Sequence, residues 1–384
     1  MVKSKRILAF VAVIAIIFAG VTFTVGCKKK TVLVFGDVSI HFLELGNQFV
    51  GDSVYIQYGD IDILIDAGSK STSAPAIRNY LKNHITDEKI EFVIATHAHE
   101  DHIGAFTGTR SLLAPTNKDD IAYDIDYIID FPRTGKTHTQ GGHSIYDQYI
   151  EKREAAVEHH GATHYTALEC YKQTGGAKRI FNLDAKGTVR LEILYNYYYE
   201  HDALDDKGNH IENEYSVAVM LHNGSQQYLF TGDLEQQGED KLVDYYAQKH
   251  GGLGKVSLFK AGHHGSNTSS HPKLLAEIRP DYVCICSCAG TTEYTTLVGG
   301  QFPTQNFINR LAPYTDAVYV TTLMIHFSHT ASEATFESMN GDIKFHVNKK
   351  GKITLTFTGH NKKLKDTEWF KNNRTTPDAW KDAA

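Results

Sequence analysis

Cysteine is scarce, with five in 384 residues, and one of these, Cys27, lies in the first thirty. The other four do not make a disulfide framework. Cys284, Cys286 and Cys288 alternate with Ile285 and Ser287 in a strand-like run, so they share one face, where neighbours do not readily pair. They and Cys170 read as small core residues. Positive charge is also scarce beyond the start of the chain. The first thirty residues carry six Lys or Arg and no acid, so the remainder stands at about −12 against −6 for the whole. A body that acidic exerts no general pull on nucleic acid. Long apolar runs are limited to residues 7–23; a multi-helix channel, and with it DNA transport by this chain, is therefore not expected. No internal repeat or low-complexity tract follows Lys30.

The apolar run is preceded by Lys3, Lys5 and Arg6 and followed by Thr24-Val25-Gly26-Cys27. A basic start, an apolar stretch and small residues before the break describe an export signal. Gly26-Cys27 resembles a bacterial lipobox, which implies lipidation of Cys27; an uncleaved signal anchor is the alternative, because the run is near bilayer-spanning length. Both place the rest of the chain outside the cytoplasm on a membrane surface. The expected division is 1–30 as signal or anchor with its tether, 31–360 as one folded domain, and 361–384 as a polar tail with Trp369 and Phe370 docked.

Alternation and turn residues predict strands at 39–45, 53–58 and 61–65, a helix over 71–84 and a buried strand at 91–95. A helix opens after Gly104. Further strands are expected at 123–129, 189–195, 215–221, 227–231, 255–260 and 282–287, helices at 144–159, 234–250 and 273–277, and a hairpin over 342–358. His138, His143, His159, His160 and His164 read as surface residues. Two β-rich halves, each with helices, point to two sheets packed face to face under helices.

The chemistry concentrates in Thr96-His97-Ala98-His99-Glu100-Asp101-His102-Ile103-Gly104. Three imidazoles and two carboxylates in six positions suit metal better than packing. On an extended backbone His97, His99 and Asp101 project to one side, at the carboxyl end of a buried strand, where open α/β sheets place their sites. A polar loop with solvent-facing histidines is the bland alternative.

His-x-His-x-Asp-His resembles the signature of the metallo-β-lactamase superfamily, closest to the domain found in ComEC-type competence proteins. The likeness extends to Ile40–Gly46 leading into Gly51-Asp52-Ser53, to Ile63–Gly68, Leu229–Asp233 and Asn213–Ser216, and to Lys260–Ser266 with Thr268-Ser269-Ser270. It implies an αββα four-layer sandwich holding two divalent metal ions, Zn²⁺ or Mn²⁺, and a water between them that attacks phosphorus or a carbonyl. Asp66 would brace the ligand loop from behind. His97, His99 and Asp233 would hold one ion, and Asp101, His102, Asp233 and His263 the other. Asp101 and His264 take the catalytic roles, His264 on the leaving group; the reverse assignment of His263 and His264 stays open. The third histidine of the first ion is missing from Ile211–Ser216, leaving Glu212, Asn213 or water, with His201, His210 and His222 as lesser choices. Gln301-Phe302-Pro303 stands where that branch often carries His before Pro.

The function implied is hydrolysis of a small-molecule or polymeric phosphodiester by a membrane-tethered protein outside the cytoplasm. Hydrolysis of carboxylic esters, lactones or β-lactams by the same ions is the alternative. A metal-binding surface lipoprotein without turnover is a third reading.

Overall fold

The computed structural model describes residues 34–324 and 336–381, so the segment expected to direct export, with Cys27, lies outside the described residues. Among the described residues no helix is long and apolar enough to cross a membrane.

Two eight-stranded mixed sheets form the molecule. The first runs in the order Ile353–Phe357, Ile343–Val347, Val38–Phe42, Val54–Tyr58, Ile61–Ile65, Lys89–Ile94, Asp124–Asp130, Thr163–Thr166. Its opening strands pair antiparallel, and from Ile61–Ile65 onward every neighbour is parallel. The second sheet repeats the plan. An antiparallel meander of Ile180–Asn182, Val189–Ile193, Val219–Asn223 and Gln226–Phe230 gives way to parallel pairing through Leu258–Lys260, Tyr282–Ala289 and Val318–Met324. Phe336–Ser338 then closes the edge antiparallel.

Side-chain alternation assigns the layers. Leu258, Cys284 and Cys286 join Val38, Ile40, Ile63 and Phe345 in the core that includes the first sheet. Their sequence neighbours Phe259, Val283 and Ile285 point the other way, into a second core with Leu242, Leu274 and Phe307 of the helices Gln236–His250, Pro272–Ile278 and Gln305–Leu311. This is the αββα sandwich. The four described cysteines are buried and free, as small core residues should be.

Two expectations need correction. Residues 361–381 are more than a polar tail: besides Trp369 and Phe370, which are docked as expected, Leu364 and Trp380 are buried in the second core. Apolar side chains spaced through a polar stretch leave a weak sequence signal, but each contributes on the order of 2 kcal/mol when buried. His164 is also more than a surface residue. Its Nε2 lies 2.8 Å from Asp130 Oδ1, while Tyr149 and Arg153 donate to Oδ2 at 3.0 and 2.8 Å.

Asp130 is 1 % exposed at the end of its strand. Burial pushes its carboxyl up, but His164 and Arg153 outweigh burial and hold it below 3.8. A depressed folded-state value stabilises the protein above the unfolded pKa and is lost as pH falls through the folded one. Asp130→Asn should therefore cost about 3 kcal/mol near neutral pH, as breaking a buried ion pair does. In denaturant titrations the gap from wild type should narrow below about pH 4.

Candidate metal centre

The centre forms where parallel strands of both sheets end. Ile61–Ile65 delivers Asp66, Lys89–Ile94 delivers the histidine cluster, Gln226–Phe230 delivers Asp233, and Leu258–Lys260 delivers His263 and His264. Close backbone approach brings the loops together. Gly68 lies against the Asp101 carbonyl, where a Cβ would collide, and Gly232 turns at φ +54 against Thr96. Asp52 N donates to Asp101 O at 3.0 Å, and Ala67 N to His102 O at 2.7 Å.

The histidine cluster is only partly extended. His99 caps a short helix, Glu100–Ile103, which begins before Gly104 rather than after it. Asp101 therefore reaches the site from a helical turn, not by strand alternation; a run of polar residues conceals such a turn. His97 Nε2 and His99 Nδ1 lie 3.0 Å apart and form one end of the site.

Asp66 is buried behind the cluster. It accepts from Thr96 N at 2.7 Å and Thr96 Oγ1 at 2.8 Å, and from His102 Nδ1 at 2.8 Å. With Nδ1 engaged, His102 turns Nε2 inward, 3.1 Å from Asp233 Oδ2. His264 is arranged alike. Its Nδ1 donates to Cys286 O at 3.0 Å with Asp52 Oδ1 at 3.1 Å, and its Nε2 faces Asp233 Oδ2 at 3.2 Å and Asp101 Oδ2 at 3.5 Å.

The place expected for His263 is thus filled by His264. His263 is one-fifth exposed, with Nε2 3.9 Å from Asp233 Oδ2 and Nδ1 2.9 Å from Thr268 Oγ1. Conversely, His264 is fully buried, with Nδ1 committed to a carbonyl, which removes it from the leaving-group role. Both residues adopt left-handed backbone, φ 44 and 52. That turn sends one imidazole into the core and leaves its neighbour on the open side.

Ligand atoms of Asp52, His102, Asp233 and His264 all lie within 4.8 Å of one another. Asp52 faces the Nδ1 side of His264 and forms an ion pair with buried Lys260. Lys260 also donates to Gly232 O at 3.0 Å and lies 3.5 Å from Asp233 Oδ1. His102 Nε2, Asp233 Oδ2 and His264 Nε2 are buried without a hydrogen-bond partner, although they stand close together. Orphaned donor atoms converging from imidazole and carboxylate suit a divalent cation. Without one, protons do that work. Burial lowers the His102 pKa, but Asp233 and Asp66 outweigh it and raise it to about 10. His264 is likewise raised, burial being outweighed by Asp233 and Asp52.

In the segment lacking the third histidine, Asn213 Nδ2 lies 3.0 Å from Glu235 Oε1 and 3.4 Å from His263 Nδ1. Glu212 accepts from Gly135 N at 2.9 Å. Glu212 Oε1 and Asn213 Oδ1 are buried without partners, and both residues line a cavity of about 600 Å³ beside His99. His210 lines it too, with Nδ1 2.6 Å from Tyr215 OH. His201 stacks on Tyr197, and His222 pairs with Glu192 at 2.9 Å.

In the sequence Asp52 stands out only as part of Gly51-Asp52-Ser53, and Lys260 only as the start of Lys260–Ser266. A lysine closing an apolar strand was the available signal for a buried ion pair. Tyr294, whose hydroxyl donates to Asp101 Oδ2 at 2.8 Å, had none.

This fold and this cluster define a metallohydrolase scaffold. The family model for the metallo-beta-lactamase superfamily matches residues 46–111 and 201–288. Recombination protein 2 of Haemophilus influenzae is 32% identical over 112 residues, 29% of this chain and 12% of that protein. Competence protein ComA of Neisseria gonorrhoeae is 35% identical over 88 residues, 23% of this chain and 11% of that one. The match spans only about an eighth of the length of these relatives. They bear out the likeness to ComEC-type proteins at modest identity. Among solved structures, the metallo-beta-lactamase fold protein YhfI from Bacillus subtilis aligns over 74% of this chain and 95% of its own, at 14% identity and TM-score 0.40.

Two substitutions separate the roles assigned by geometry. His264→Ala should lose about one equivalent of bound metal by elemental analysis, whereas His263→Ala should retain it. Asp66→Asn should weaken metal binding about 10–100-fold in a competition titration, as loss of an orienting partner does.

Proposed function

We propose that the protein is a metal-dependent hydrolase of phosphodiester bonds, held outside the cytoplasm on a membrane by lipidated Cys27 or an uncleaved anchor. The observation that carries the hydrolase reading is the convergence of His102 Nε2, Asp233 Oδ2 and His264 Nε2, buried and unpartnered, beside the His97–His99 pair. His102, His264, Asp101 and Asp233 would hold one divalent ion. His97 and His99 would hold the other, with Asp233 between and oxygen from Glu212 or Asn213 nearby. An oxygen-richer first site is harder, which favours Mn²⁺ over Zn²⁺ there.

Ions in these places would supply Lewis acidity and acidify a water for attack near neutral pH. The chain's own groups do the rest. Asp66 and the Cys286 carbonyl fix the rings of His102 and His264, so that Nε2 points inward. Lys260 balances Asp52 and Asp233, and prevents adjacent buried carboxylates from being uncompensated. His263, on the open side with its other nitrogen near Thr268 and Glu235, would offer an N–H hydrogen bond to the displaced oxygen; burial holds its pKa below the usual imidazole value, so it acts as a neutral ring. The cavity beside His99, with Lys136 on its wall, offers room for a phosphodiester.

Likeness to relatives named for recombination and competence supports a phosphodiester, either extracellular DNA or a cell-envelope polymer. Metal-loaded purified protein should turn over bis-p-nitrophenyl phosphate, and His99→Ala should reduce that rate at least about 100-fold. Preference for nitrocefin or a simple lactone would instead select the ester and lactam reading. Stoichiometric metal with no turnover of any of these would select a binding protein.

A further inference from the structure

The loop between Tyr282–Ala289 and Gln305–Leu311 borders the centre without supplying any of the ligands named above. Its Tyr294 combines two properties that rarely coincide. The residue is 57 % exposed, so it adds little to the core. Yet its hydroxyl reaches inward to Asp101 Oδ2 at 2.8 Å, an oxygen that also faces His264 Nε2 at 3.5 Å. A tyrosine serving only packing would bury its ring; this one buries its polar end at the reacting edge and leaves its ring at the mouth.

The position is built from three sides. Glu293, the preceding residue, accepts from Val50 N at 2.8 Å and pairs with Lys70 at 3.2 Å. Lys70 in turn pairs with Glu100 beside Asp101. On the other flank Arg374 donates to the carbonyls of Gln301, Pro303 and Val298 at 2.6, 2.9 and 3.1 Å. From below, the Phe302 ring lies between Tyr294 and the histidine pair, with centroids 5.8 Å from Tyr294, 5.6 Å from His263 and 6.4 Å from His264. A hydroxyl held in this way is preorganised toward whatever oxygen occupies the centre.

We propose that Tyr294 is a catalytic residue of this site: its hydroxyl, resting on Asp101, donates its hydrogen bond to a non-bridging oxygen of the bound phosphoryl group as negative charge builds there. The proton is shared in a hydrogen bond and not transferred, and no bond to tyrosine forms. The inference rests on the diester-hydrolase reading, and it deepens that reading by naming the charged non-bridging oxygens of a phosphoryl group as what is recognised. A donor that strengthens its bond in the transition state acts on kcat more than on KM.

Tyr294→Phe removes one oxygen atom and keeps the ring on Phe302. In metal-loaded protein it should lower kcat for bis-p-nitrophenyl phosphate about 100-fold with KM changed less than about threefold. Calorimetric affinity for inorganic phosphate should fall about tenfold. Metal stoichiometry and Tm should match wild type, and Leu297→Ala, on the same loop and 75 % exposed, should match it in every measurement. Wild-type kcat and phosphate affinity in Tyr294→Phe would overturn the proposal. So would loss of metal from that variant, since the hydroxyl would then be holding Asp101 in place. Should the wild type bind phosphate but turn over no diester, the hydrolase reading fails and with it the catalytic role, whatever the phosphate arm gives.

Discussion

Everything at the centre depends on the charge balance around one buried carboxylate. Asp233 is 1 % exposed and would not stay ionised in such a place by itself. Burial raises its pKa, but His102, His264, His263 and Lys260 outweigh burial and hold it well below the ordinary value. Lys260 is permanently committed to this task, paired with Asp52 as well. The two imidazoles are not, because each has its Nδ1 satisfied elsewhere and presents Nε2 to the same carboxylate oxygen. They carry protons when no cation is present, and a divalent ion would take the protons' place. Metal uptake would therefore be coupled to proton release.

That balance also explains why the molecule is built as two similar halves. Each sheet runs from an antiparallel meander into parallel strands, and the change in each sheet falls beside a strand whose end carries an aspartate, Asp66 or Asp233. The change of pairing leaves the strand ends free to carry side chains to the seam. Neither half is sufficient: the first contributes the imidazoles of the cluster and their brace, the second the shared carboxylate, the lysine and the deep histidine. Sheet-on-sheet burial through residues such as Cys284, Cys286 and Phe345 thus fixes the geometry of the centre as much as it stabilises the fold.

The C-terminal segment extends the same logic to the rim. Trp369, Phe370 and Trp380 anchor it on the second core, and Arg374 spans from there to three carbonyls of the loop that carries Tyr294. A guanidinium 9 % exposed and bonded to main-chain oxygens is a rigid strut. The far end of the chain therefore helps to set the shape of the active-site mouth.

How much of this was legible in the sequence follows from how local each signal is. His97, His99, Asp101 and His102 announce themselves because four ligand-type side chains in six residues have no other common use. Asp66, Asp233 and the 263–264 pair each follow an apolar strand, a weak signal alone that the likeness to the metallo-β-lactamase superfamily makes specific. The layered architecture follows from alternation, which is a property of neighbouring residues. The sequence by itself therefore determined the segments that carry the chemistry and the sandwich that brings them together. Only the tertiary structure decided which of His263 and His264 turns inward, because adjacent residues differ in direction through backbone angles that no composition records. The same holds for Asp52 behind His264, for Lys260 between two carboxylates and for Tyr294 on Asp101. Each is a contact between residues tens to hundreds of positions apart, created by packing the sheets and their loops and absent from any local pattern.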